Sequence, residues 1–226
     1  MADEWAAASA EGSVMVDIST TLPASNEEIA ERIADGGRHF VEAPLTGGAI
    51  GAKSRALVFM VGGEDEPVER VKPLLDELGR ATFHVGPVGA GTTMKLANSL
   101  LAFACTWASL EALSLTTAAG IEVRQAVEVV RTGGASNFFI DRGVEGINQR
   151  DRPTQFALGL AAKDAHLIDQ AAESSGIPSA IAAAMVEVLD DVVRRGLGDR
   201  DWSDLVIAAE ARNGVALTIT PASPAT

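Results

Sequence analysis

Residues 86–100 read GPVGAGTTMKLANSL. A glycine-rich turn runs into a stretch with helical spacing, and a lysine sits just inside it. Three chemistries use such a turn: a phosphate cradle, a dinucleotide fingerprint, and the approach to a catalytic lysine. A P-loop needs G-x-x-x-x-G-K-[ST]. Gly86 and Gly91 have that spacing, but Thr92 and Thr93 stand where the lysine and the hydroxyl belong. A Rossmann fingerprint needs G-x-G-x-x-G. Gly89 and Gly91 supply the first pair, and Met94 fills the place of the third glycine. Lys95, Asn98 and Ser99 fall at i, i+3 and i+4, so one helix face carries all three. A lysine and an amide set in an apolar helix are costly without partners. Two readings stay open from these residues: a functional lysine, or a strand-to-helix turn whose lysine lies on a solvated face.

The stretch divides the chain. Before it, short β-like runs alternate with helical ones. The runs are VMVDIST (14–20), RHFVEAP (38–44), ALVFMVGG (56–63) and ATFHVG (81–86). SNEEIAERIADGG (25–37) reads as a helix with a Ser25–Glu28 capping box, and EDEPVERVKPLLDELG (64–79) as a second. Such alternation predicts an α/β layered domain over 1–90. After it, 92–214 shows no strand pattern, and 91–226 is expected to be all-helical. Helices are predicted over 92–120, 122–134, 156–176, 178–196 and 202–214, the last capped at Ser203, and TITPASPAT (218–226) is expected to be a frayed tail. The first of these helices is apolar nearly all round. Its Leu96, Leu100, Phe103, Trp107 and Leu110 are more than one solvated helix hides alone, which predicts a homo-oligomer, dimer or tetramer.

Composition narrows the classes. The net charge of −13 argues against nucleic acid and anionic membranes, and no apolar run is read as spanning a bilayer. One cysteine, Cys105, fits a reducing compartment, so a cytoplasmic protein is expected. His39, His84 and His166 are scattered without ligand spacing, and no metal site is read.

Three further clusters stand out. EAPLTGGAIGA (42–52) puts Thr46 before Gly47 and Gly48, where backbone N–H groups can approach a carboxylate; an ordinary turn is the alternative. DISTTLP (17–23) places Ser19, Thr20 and Thr21 at the carboxyl end of a strand, the crevice side of an open α/β sheet. LAAKDAHL (160–167) sets Lys163–Asp164 in an apolar helix, which a surface ion pair also explains.

In this order, D-x-S-T (17–20), A-P-L-T-G-G-x-x-G-A (43–52), M-V-G-G (60–63), G-x-G-x-x-x-K-x-x-N (89–98) and the K-D helix resemble the β-hydroxyacid dehydrogenase family. That family includes 3-hydroxyisobutyrate dehydrogenase and 2-hydroxy-3-oxopropionate reductase, and the likeness runs from about residue 10 to 215. It implies the C-terminal part of a Rossmann-like NAD(P)-binding domain followed by an all-α domain like that of 6-phosphogluconate dehydrogenase. It also implies reversible hydride transfer between NAD or NADP and a small β-hydroxy acid. By resemblance Lys95 is catalytic, and Thr46, Gly47, Gly48, Asn98 and Ser99 bind substrate. Thr20 and Lys163 match cofactor contacts. Ala97 departs from the K-x-x-H-N run of the 6-phosphogluconate dehydrogenases, and Ser99 is shorter than the amide usual at its place. The family's opening strand and G-x-G-x-x-G have no counterpart before Val14, so a form shortened at its N-terminus is expected. A non-catalytic remnant serving oligomeric assembly is the alternative.

Overall fold

The computed structural model describes residues 2–34, 36–150 and 152–220. The chain divides into two compact units, one of residues up to 99 with 166–179, the other of 100–165 with 180 onward.

In the first unit, α1 (Ala2–Ala8) precedes β1 (Val14–Asp17), α2 (Pro23–Ala34), β2 (His39–Glu42), β3 (Leu45–Thr46), α3 (Gly48–Lys53), β4 (Leu57–Gly62), α4 (Asp65–Leu78) and β5 (Gly79–Gly86). The sheet is mixed. β1 runs parallel to β2, and β5 runs parallel to β4. β2 and β3 both run antiparallel to β4, with Glu42 opposite Gly62, Leu45 opposite Phe59 and Thr46 opposite Val58. These pairs share one register, so β2 and β3 are a single strand interrupted at Ala43–Pro44. Pro44 has no N–H to give the ladder, yet its carbonyl still accepts from the Met60 amide at 2.9 Å. β4 lies between neighbours on both sides, which is why its sequence is apolar throughout. Val41, Phe59, Val61, Val68 and Leu75 form the core beneath it.

α2 begins at Pro23, earlier than the capping box predicts. Proline's fixed φ suits a first helical position, and this start draws Ser25 inside the first turn. β3 and α3 have no counterpart in the sequence reading. Both are short, and glycines open α3.

The long helix α5 spans Ala90–Ala118. α6 (Val123–Thr132), helical turns over 139–148, α7 (Leu158–Ser174), α8 (Ala180–Arg194), a turn at Trp202–Asp204 and α9 (Leu205–Asn213) follow. Past α5 the described residues hold one isolated β-bridge, Ala157 with Asp201. In the second unit Phe103 and Trp202 rings pack with centroids 4.8 Å apart, with Phe156 beside both. Asp201, not Ser203, caps the turn before α9: its carboxylate accepts from the Ser203 amide at 3.1 Å. A side chain preceding the turn reaches its N–H groups where one inside it does not.

Three expectations change here. α5 is apolar and, at 29 residues, long enough to cross a bilayer, a length the sequence reading did not allow. However, Leu96, Phe103, Trp107 and Leu110 are buried by this chain itself, whereas Leu101 and Leu115 on the same helix are exposed. The tail is not frayed at 218–220: the Ile219 amide donates to Asn148 Oδ1 at 3.0 Å, and Arg124 Nε donates to the Thr220 carbonyl at 2.8 Å. Residues 221–226 lie outside the described residues.

Candidate active site

The strand register sets out the site. Asp17 pairs with Glu42, Glu42 with Gly62, and Gly62 with Gly86. One row thus crosses four strands at the carboxyl ends of β1, β2, β4 and β5. The turn bearing Thr20 leaves this row from β1. The glycine turn and α5, with Lys95, leave it from β5. The strand leading to Thr46 crosses it at Glu42.

Glu42 is fully buried. A carboxylate in such a place must be surrounded by donors. Its Oε1 accepts from the amides of Gly91 (2.7 Å) and Thr92 (3.1 Å) in the first turn of α5. Its Oε2 accepts from Thr92 Oγ1 at 2.8 Å and from Asn26 Nδ2 at 2.5 Å. Asn26 Nδ2 also donates to Thr92 Oγ1 at 2.8 Å, and Asn26 Oδ1 accepts from Thr21 Oγ1 at 3.1 Å. The positive end of a helix dipole thereby meets a negative charge.

Two glycines make room for this carboxylate. A Cβ on Gly62 would lie 2.4 Å from Glu42 Oε1, and one on Gly91 2.5 Å from the Met60 carbonyl. The question of the opening turn is thus answered by chemistry. It is an anion cradle, and the anion is the protein's own Glu42. Those amides do not fit a cofactor pyrophosphate.

The predicted residues fall as follows. Lys95 and Asn98 are half-buried and Ser99 is buried on α5, where the helical spacing keeps the three on one face. Thr20 is half-buried beyond the end of β1, beside Ile18, which is 54% exposed. The Ser19 amide closes the turn onto Asp17 Oδ1 at 2.8 Å. This open, hydroxyl-bearing loop at a carboxyl strand end fits the nicotinamide side of a dinucleotide. Thr46 lies in β3, away from the row along the strand. Gly47 (φ 126°) and Gly48 (φ 61°) follow it, exposed, in a conformation that only glycine takes without strain. A Cβ on Gly48 would meet nothing within 4 Å, so a ligand group can approach that backbone. Lys163 belongs to the second unit, on α7, with Nζ 2.9 Å from Oδ1 of the buried Asp164. Among the described residues no three His, Cys, Asp or Glu side chains are grouped as metal ligands.

Sequence reasoning missed Glu42, Asn26 and Thr92. One signal was available: a glutamate inside the apolar strand HFVE, where a charge must be paired.

Comparisons with known proteins follow the same division. Residues 2–86 match the NAD binding domain of 6-phosphogluconate dehydrogenase. Residues 89–209 match the NAD-binding domain of NADP-dependent 3-hydroxyisobutyrate dehydrogenase. The chain is 31% identical to 2-(hydroxymethyl)glutarate dehydrogenase of Eubacterium barkeri, over 92% of this chain and 69% of that enzyme. It is 32% identical to 2-hydroxy-3-oxopropionate reductase of Escherichia coli, over 90% of this chain and 70% of that enzyme. Among solved structures, 3-hydroxyisobutyrate dehydrogenase of Mycobacterium tuberculosis with L-serine superposes with a TM-score of 0.81 at 22% identity. The superposition covers 89% of this chain and 72% of that one, a likeness of fold.

Proposed function

The chain belongs to the β-hydroxyacid dehydrogenase family, whose members are NAD(P)-dependent dehydrogenases and reductases, and from that membership we propose that it interconverts a small β-hydroxy acid and its carbonyl partner at the CH–OH carbon. NAD or NADP is the cofactor, and its nicotinamide supplies the hydride acceptor or donor. Residues 1–90 carry the cofactor-binding part and 91–226 the helical part.

The observation that carries this reading is the row Asp17–Glu42–Gly62–Gly86, from which both the Thr20 turn and the Lys95 helix depart. Lys95 stands at the substrate oxygen. Its ammonium donates a hydrogen bond there and stabilises the negative charge that grows as the carbon–oxygen bond changes order. Thr46 and the Gly47–Gly48 backbone hold the substrate carboxylate, which fixes the reacting carbon in register. Asn98 and Ser99, on the face of Lys95, orient the substrate. Thr20 and Lys163 hold the cofactor.

The test is oxidation of 3-hydroxyisobutyrate and glycerate with NAD and with NADP, each beside an analogue lacking the carboxylate. Turnover that needs the carboxylate supports the reading. No turnover with any hydroxy acid, or equal turnover without the carboxylate, overturns it.

Further readings accompany it. A self-associating protein is supported by Leu101 and Leu115, which are 65% and 74% exposed on α5. A dimer should break to monomer in light scattering when both become serine. A cytoplasmic location, with neither nucleic acid nor membrane as partner, accords with the net charge of −13 and the single cysteine.

A further inference from the structure

We propose that Glu42 is the positioning residue of this site: its buried carboxylate fixes the first turn of α5, and with it Lys95, to the turn that bears Thr20 and the strand that leads to Thr46. The inference rests on the assignment of Lys95 made above.

A helix start is ordinarily capped by the residue next to it. Here the residues before α5 are Pro87, Val88 and Gly89, and none has a side-chain acceptor. The acceptor comes instead from Glu42, 49 residues from Gly91. The cap is therefore a tertiary tie. It grips the amides of Gly91 and Thr92, and Lys95 stands one turn beyond Thr92 on the same face. A rotation or slide of that first turn moves the lysine with it.

The tie has a third end. Asn26 joins the carboxylate to α2 and, through its carbonyl oxygen, to the hydroxyl of Thr21, the neighbour of Thr20. Every group facing Glu42 donates, and Gly62 and Gly91 are kept small around it. One carboxylate thus sets three segments that carry candidate site residues. A local serine or aspartate cap would satisfy the helix amides without linking anything.

The test compares Glu42→Gln, Thr92→Val and Thr92→Ser. Glutamine keeps the size and an acceptor for the helix amides, but its amide confronts the Asn26 donors. Valine removes the Thr92 hydroxyl, and serine restores it. In Glu42→Gln and Thr92→Val, kcat for hydroxy-acid oxidation should fall about tenfold or more, with the cofactor KM within about threefold of wild type. Thr92→Ser should recover most of the loss. Unchanged kcat in Glu42→Gln, or a Thr92→Val loss that serine does not repair, overturns the proposal.

A second readout needs no turnover. Acylation of Lys95, measured against that of Lys53 by mass spectrometry, should change about threefold or more in Glu42→Gln and Thr92→Val and return in Thr92→Ser. An unchanged ratio overturns the positioning role. Wild-type protein that oxidises no hydroxy acid defeats the proposed function, while the labelling ratio still decides what Glu42 does. Should Glu42→Gln fail to fold, the Thr92 pair decides alone.

Discussion

Each unit holds one buried carboxylate that gathers backbone amides, and the two are used differently. Glu42 accepts from amides inside the first turn of α5, three and four residues before Lys95. Asp201 accepts from the amides of Gln155 (2.7 Å) and Phe156 (3.3 Å), which precede α7 and lie seven and eight residues before Lys163. Glu42 is surrounded by neutral donors with no solvent contact. Asp201 also takes the Ser203 hydroxyl at 2.6 Å and Arg152 Nε at 3.4 Å. The first tie is short, buried and inside the helix it holds. The second fastens one loop to another, and its lysine is about two turns away. Coupling to chemistry should follow that distance.

The largest expected difference lies between the lysines themselves. Lys95→Ala should lower kcat about a hundredfold or more and change the cofactor KM far less. Lys163→Ala should do the reverse, raising the cofactor KM about tenfold with a smaller loss of kcat. Steady-state kinetics with both substrates varied separates the two. Equal effects in both variants would dissolve the division of labour.

How much of this could be read in the residues? The strand–helix alternation and the change at Gly91 came through because hydrophobic period and glycine stops are local signals. The antiparallel return of β3 against β4 did not, since two paired residues after a proline leave no pattern. Lys95, Asn98 and Ser99 were legible as polar side chains at helical spacing in an apolar run. The partners of Glu42 were not, because Asn26 and Thr92 are unremarkable in their own segments. A tie across 66 residues, as between Asn26 and Thr92, is made only by the fold.

Stability offers the next contrast. Glu42→Ala strands the Gly91 and Thr92 amides, the Asn26 amide and the Thr92 hydroxyl away from water, and should cost about 3–5 kcal/mol. Asp201→Ala leaves groups nearer the surface and should cost about 2 kcal/mol. Urea unfolding of each variant checks the order. A larger loss at Asp201 would mean that burial is not what sets these energies.

A smaller effect concerns acid. Burial alone would raise the Asp201 carboxyl, but the Ser203 hydroxyl and the amides of Gln155, Ser203 and Phe156 outweigh it and hold its pKa below the ordinary aspartate value. A depressed folded-state pKa gives stability that is full above the unfolded value, about 3.9, and lost as pH falls through the folded one. Wild type should therefore exceed Asp201→Asn in stability at neutral pH, and the gap should close below about pH 4. A gap independent of pH would assign the difference to the amide's geometry and not to charge.

The comparison is tested most directly by amide hydrogen exchange, residue by residue, in wild type, Glu42→Gln and Asp201→Asn. The account predicts a crossed result. Exchange at Gly91 and Thr92 quickens in Glu42→Gln while Gln155 and Phe156 hold their rates, and Asp201→Asn quickens Gln155 and Phe156 and spares the first turn of α5. Equal quickening of all four amides in either variant, or none at Gly91 and Thr92 when Glu42 is changed, would contradict it.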